Sequence, residues 1–117
     1  MSKFRHNSSF WESLDQFVHT SEIIIDRPKG SRHPQITEFI YPLNYGYLKD
    51  SKASDGEEVD IWMGTAETHV VSGVLHVIDT LKRDTEIKIL YSCTPQEHDL
   101  LYKVNNEMMM SGVLIER

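Results

Sequence analysis

Between residues 41 and 60 the chain reads Tyr41-Pro-Leu-Asn-Tyr-Gly-Tyr47, a polar stretch, and then Asp55-Gly-Glu-Glu-Val-Asp60. Asp55, Glu57 and Asp60 gather negative charge that repels itself unless a cation intervenes. Oxygen-only ligands in a tight group suit hard divalent cations, Mg²⁺ first. Bound Mg²⁺ keeps several waters and commonly holds substrate phosphates, so this segment points to phosphoryl chemistry. A solvated acidic loop is the plain alternative, and the acidic box alone would favour it.

A basic counterpart lies earlier in the chain. Arg27, Lys29, Arg32 and His33 cluster around Gly30, between Pro28 and Pro34. They form either an exposed basic loop or a cradle for an anion. Nothing pairs His69 and His76 into a zinc pattern, and both read as strand surface or satisfied core. Cys93 follows an apolar run and precedes Thr94-Pro95, where a small hydrophobe at a strand end is a better reading than a nucleophile.

These residues need elements to position them. Ser9-Phe-Trp-Glu12 reads as a capping box, followed by apolar residues Phe10, Leu14, Phe17 and Val18 on one helical face, with the helix ending near Thr20. Residues 1–8 are polar, and disorder is expected there. Glu22–Asp26 reads as a β-branched strand. Residues 27–34 read as a loop, and Tyr41–Tyr47 as a tyrosine-rich turn. Part of the trio Tyr41, Tyr45 and Tyr47 is expected to be core packing. Strands follow at Val59–Met63, His69–Ile78 and Glu86–Tyr91, with Gly73 marking a bulge or bend. Thr94-Pro-Gln-Glu97 is a second capping box, opening a helix through about Glu107. Met108–Met110 reads as core or oligomer contact. Gly112–Ile115 closes the series as a short strand. The pattern is α+β: a small antiparallel, barrel-like β core with an N-terminal and a C-terminal helix.

The 117 residues are expected to form one domain, 1–117. A net charge of -6 argues against nucleic acid or an anionic membrane as partner, but not against a metal-bound phosphate. A single cysteine, no signal-peptide core and no membrane-length apolar run lead to a cytoplasmic expectation.

Tyr-Pro-x-Asn-Tyr-Gly-Tyr followed by Asp-Gly-acid-x-Val-Asp-Ile resembles the soluble, Mg²⁺-dependent inorganic pyrophosphatases (family I). Downstream, Gly73-Val-Leu with Asp79, Asp84, Glu86 and Lys88 resembles that family's next segment. The resemblance covers about residues 22–90. It implies Mg²⁺, or Mn²⁺ in its place, and hydrolysis of pyrophosphate by in-line attack of a metal-activated water. It also implies a small phosphate-containing substrate and a homo-oligomer.

Residue by residue, Asp55, Asp60 and Asp79 correspond to metal ligands. The next acid is either Asp84, counted from Gly73, or Glu86, which matches the family's acid-x-lysine spacing. Glu57 stands where the family has an aspartate that orients or deprotonates the attacking water, and Tyr45 matches a tyrosine beside the metals. Lys88 corresponds to a phosphate ligand, and Arg27, Lys29 and Arg32 to the remnant of a substrate clamp. Tyr102-Lys103 is similar to a late tyrosine–lysine pair. Two departures stand out: glutamate replaces aspartate at 57, and the family's N-terminal hairpin is compressed into residues 26–34. They leave two other readings open, a different diphosphate or nucleotide as substrate, and a non-catalytic metal- or phosphate-binding module.

Overall fold

Six strands and two helices make up the fold: α1 (Ser8–His19), β1 (Ile23–Arg27), β2 (Asn44–Leu48), β3 (Val59–Met63), β4 (Val71–Asp79), β5 (Asp84–Tyr91), α2 (Pro95–Val104) and β6 (Met110–Glu116). This computed structural model describes Arg5 and residues 7–117. The disorder expected over residues 1–8 falls largely outside the described residues, although Asn7 and Ser8 belong to the start of α1.

The helix N-cap is Asn7 rather than Ser9. The Asn7 side chain accepts the Phe10 N–H at 3.1 Å, and the Ser9 hydroxyl donates to that same side chain at 2.7 Å. Both residues are competent caps, and the asparagine captures the first free N–H. The buried stripe shifts accordingly: Trp11 and Val18 are buried, while Phe10 stays exposed with its ring edge-on to Trp11. The second capping box forms as expected, with Thr94 Oγ1 accepting from Glu97 N at 3.1 Å and Glu97 Oε1 accepting from Thr94 N at 2.9 Å. Helix α2 ends earlier than Glu107, at Val104 with Asn105 as its C-cap.

The strands form one sheet in the order β1-β2-β3-β5-β4-β6. The sheet is open, because β1 and β6 are separate edges, and it is mixed, because β3 and β5 run parallel while every other pair is antiparallel. This corrects the antiparallel barrel-like expectation. The β4–β5 hairpin docks through its second strand, so β4 serves as the crossover that a parallel β3–β5 pair requires.

The second half of the tyrosine-rich segment is a strand rather than a turn, while Tyr41-Pro-Leu43 stays in the β1–β2 loop. Asn44–Leu48 is β2, flanked on both sides by β1 and β3. Gly46 permits this: a Cβ there would collide with the Ile24 carbonyl where β1 bulges between Ile25 and Arg27. A second bulge falls between Val71 and Gly73 on β4, where the sequence indicated one.

Strand alternation sends side chains into two cores. On one face Leu48, Ile61, Val74 and Ile89 pack with Trp11 and Val18 of α1. On the other, Trp62, Leu75, Val77 and Leu90 pack with Leu101 of α2 and with Tyr41 and Leu43 from the β1–β2 loop. Among the described residues, no helix is long and apolar enough to cross a membrane.

Candidate active site

The α2 face carries charge as well as core. Period-two alternation places Tyr45, Asp60, Glu86 and Lys88 on that face, from the adjacent strands β2, β3 and β5. Lys88 is the Cα partner of Asp60 across the parallel pair. The Tyr45 hydroxyl donates to Asp60 Oδ2 in a short hydrogen bond. The Lys88 ammonium donates to the same hydroxyl at 3.1 Å and pairs with Glu86 Oε1 at 3.6 Å. Lys88 is 9% exposed, so its charge is withdrawn from water and held by these partners.

The electrostatics follow from that burial. Glu86 is raised above the usual carboxylate range by burial, which outweighs the opposing pull of Lys88, and the Asp60 charge raises it further. Burial, with the Asp60 charge and hydrogen bond adding to it, lifts the Tyr45 phenol well above its ordinary value. Tyr45 is therefore a proton donor here, not a phenolate.

Aromatic rings extend the cluster into the β1–β2 loop. The Tyr45 ring lies 4.5 Å from Trp62 and 5.4 Å from Tyr41 between centroids. The Tyr41 hydroxyl is raised by burial, and the Arg27 guanidinium beside it works the other way. Arg27 pairs with Asp26 at 3.3 Å, but its Nε–H is buried and has no acceptor among the described residues. Such orphan donors are rare, and the Trp62 indole N–H, whose ring neighbours Tyr41, is another among the described residues.

The other sequence-predicted residues lie in separate places. Asp55 and Glu57 are exposed in the β2–β3 loop, where Asp55 Oδ1 accepts the Glu57 N–H at 3.0 Å. Asp79 Oδ1 accepts the Leu81 and Lys82 N–H groups, each at 3.0 Å, and so holds the β4–β5 hairpin tip. Asp84 is its register partner across the hairpin. Among the described residues no group of three or more His, Cys, Asp or Glu is gathered to hold a metal. Asp55 and Asp79 each commit an oxygen to a turn of their own.

A cation that brings its own phosphate and water ligands is the kind this donor set could serve. Such an ion needs only one or two carboxylates, here Asp60 and Glu86, with phosphate and water supplying the remaining oxygens. The structure thus brings Glu86, rather than Asp84, to Lys88. The Glu86-Ile-Lys88 alternation in a strand was the sequence signal for it.

The expected clamp splits. Arg27 reaches Tyr41, whereas Arg32 donates to the Thr37 carbonyl at 2.8 Å and closes its own loop. Lys29 uses its backbone N–H to hold Asn44 Oδ1 at 2.8 Å, and its side chain is exposed. Lys82, which nothing in the sequence singled out, acts on both Glu86 and His33. Tyr102 and Lys103 are exposed on α2, which packs on β6, at the far edge of the sheet from β2. Cys93 is buried, which pushes its thiol up to about 12, the inert state expected of a packing residue.

The arrangement of strands and helices is shared with solved structures. An inorganic pyrophosphatase from Helicobacter pylori superposes with a TM-score of 0.53 at 14% identity, over 80% of this chain and 81% of that one. One from Coxiella burnetii gives 0.51 at 14%, over 80% and 82%. One from Neisseria gonorrhoeae gives 0.52 at 17%, over 82% and 75%. This chain has the inorganic pyrophosphatase fold. No family model and no curated protein matches it by sequence, so the likeness lies in the fold.

Proposed function

We propose that this chain is a Mg²⁺-dependent hydrolase of a diphosphate, with inorganic pyrophosphate as its first substrate. The observation that carries the reading is the Tyr45–Asp60–Lys88–Glu86 cluster around the buried lysine, set on three adjacent strands of a pyrophosphatase fold. Bound Mg²⁺ would neutralise phosphate charge and activate water for in-line attack. Asp60 and Glu86 are the carboxylates that would hold it. Asp55 and Asp79 would join only through a rearrangement of their turns, while Asp84 lies two residues before Glu86 on β5 and its charge acts on Glu86.

Lys88 and Arg27 bind the phosphate oxygens from two sides, Lys88 from β5 and Arg27 from the end of β1. Glu57 is the proton acceptor. Its exposed loop leads directly into β3 and Asp60, so a closing movement of that loop can bring it to the reacting water. Tyr45 holds Asp60 in place by donating to one of its two oxygens.

A second reading has its own observation. Lys88 already supplies a cation among the carboxylates, and the acids are not gathered into a cage. A non-catalytic phosphate-binding module would look the same. Phosphate release from pyrophosphate and from a panel of nucleotides, measured with and without Mg²⁺, separates the readings. Mg²⁺-dependent release from pyrophosphate is the expected result. Release only from a nucleotide would change the substrate, and calorimetric binding without release would establish the module.

A further inference from the structure

His33 lies in the β1–β2 loop, and its Nδ1 accepts two backbone N–H groups, Gln35 at 3.1 Å and Ile36 at 3.0 Å. An Nδ1 that accepts twice carries no proton, so the neutral ring holds its hydrogen on Nε2. That Nε2–H has no hydrogen-bond partner among the described residues. The imidazole stacks on Tyr41, with planes 8° apart and centroids 6.3 Å apart. Tyr41 is the ring that touches both Tyr45 and the Arg27 guanidinium.

Burial lowers the His33 pKa, and Arg27, Lys82 and Lys88 lower it further, although Arg27 and Lys88 are themselves paired with Asp26 and Glu86. Two donors without a protein partner among the described residues therefore lie beside Tyr41: the buried Arg27 Nε–H, and the His33 Nε2–H, which stays open to solvent. Protein acceptors are not what they meet. An anion with several oxygens would satisfy both, and the neutral imidazole can donate to it without first taking up a proton.

We propose that His33 is a phosphate-binding residue: a neutral Nε2–H donor of fixed tautomer that, with Arg27, takes oxygens of the phosphate-class ligand above Tyr41. The inference rests on the phosphoryl reading of the site for the identity of its ligand. It adds a recognition group that the Lys88 cluster does not contain.

Two substitutions divide the ring's two jobs. His33→Asn keeps an acceptor near the Nδ1 position for Gln35 and Ile36 but removes the Nε2–H. His33→Gln keeps a donor near the Nε2 position and removes the acceptor. Long-range ¹⁵N–¹H spectra of the unmodified protein at neutral pH should show the Nε2–H tautomer. Titration with inorganic phosphate, and separately with Mg²⁺-pyrophosphate, should move that resonance.

His33→Asn should bind the same probes about tenfold more weakly with an unchanged melting temperature. His33→Gln should keep affinity within about threefold and lose thermal stability instead. An Nδ1–H tautomer, or a His33→Asn protein that binds like the parent, would overturn the proposal. Binding through His33 without turnover would remove the hydrolase reading and leave this one standing. Turnover with an unmoved His33 resonance would do the reverse, and neither binding nor turnover would remove both.

Discussion

Replacing Lys88 by methionine keeps the length of the side chain and deletes its charge, and the structure says what that should do. The ammonium lies 3.6 Å from Glu86 Oε1 and 3.1 Å from the Tyr45 hydroxyl. At an effective dielectric near 20 a pair at that separation attracts by about 4.6 kcal/mol before desolvation is counted. Desolvation offsets part of this, because Lys88 is largely withdrawn from water. The Glu86 side chain is 22% exposed and can recover some hydration once alone. The net loss at neutral pH should be roughly 2–3 kcal/mol, below the range for a fully buried broken pair. In a domain of this size that lowers the melting temperature by roughly 8–12 °C.

The same variant should acquire a pH dependence whose sign is fixed. Glu86 already sits above the usual carboxylate range, because burial outweighs Lys88. Removing the ammonium removes the main opposing influence, so the folded-state value climbs further above the unfolded one. A carboxyl raised on folding contributes stability that is full below its unfolded pKa and is lost as pH rises through the folded pKa. Lys88→Met should therefore lie closest to the parent near pH 4, and the gap should widen towards pH 8. Denaturant unfolding of both proteins across that range is the measurement, with Lys88→Met/Glu86→Gln as the control that should regain much of the loss at pH 8. A gap independent of pH, or a double variant no better than the single, would refute the account of the cluster.

Three other outcomes follow from the site and the scaffold. Glu57→Gln should cut Mg²⁺-dependent phosphate release by about two to four orders of magnitude, the usual range for loss of a general base. Unchanged turnover would remove Glu57 from the chemistry. Mg²⁺ alone should shift the melting temperature little, whereas Mg²⁺ with pyrophosphate at about 100 times its dissociation constant should add roughly 2.7 kcal/mol of stability. A large shift with the metal alone would mean that the acids gather without substrate. Burial raises the Glu97 carboxyl, but hydrogen bonds from Thr94 and Thr65 outweigh that and hold it below its usual value. Its stabilisation is thus present above the unfolded pKa and lost as pH falls through the folded one. Glu97→Gln should cost about 1 kcal/mol at pH 7, and the difference should close in acid below the ordinary carboxylate range. Thermal melts across that range would show it, and an undiminished gap in acid would contradict the capping argument.

What could be read from the sequence depended on how local its cause was. The Thr94–Glu97 box, the Val59–Met63 strand and the bulge beside Gly73 each rest on neighbours within a few residues, and each formed as read. Asn44-Tyr-Gly-Tyr47 reads as a turn in isolation, because glycine between tyrosines is a turn signal, yet it is strand. The strand's cause is the Ile24 carbonyl, which β1 brings over Gly46 from twenty-two residues away in the chain. The open, mixed sheet was hidden for the same reason, since strand order is decided by which edge of the β4–β5 hairpin meets β3. The candidate site shows both cases at once. Residue types located Asp60 and the family resemblance Lys88, but only the parallel register makes them neighbours, while alternation along β5 itself sets Glu86 beside the lysine. His33 could be seen in the sequence only as one more member of a basic loop. The two backbone N–H groups that fix its tautomer and the cations that surround it belong to the folded chain, and so the question of what it donates to could be asked only of the structure.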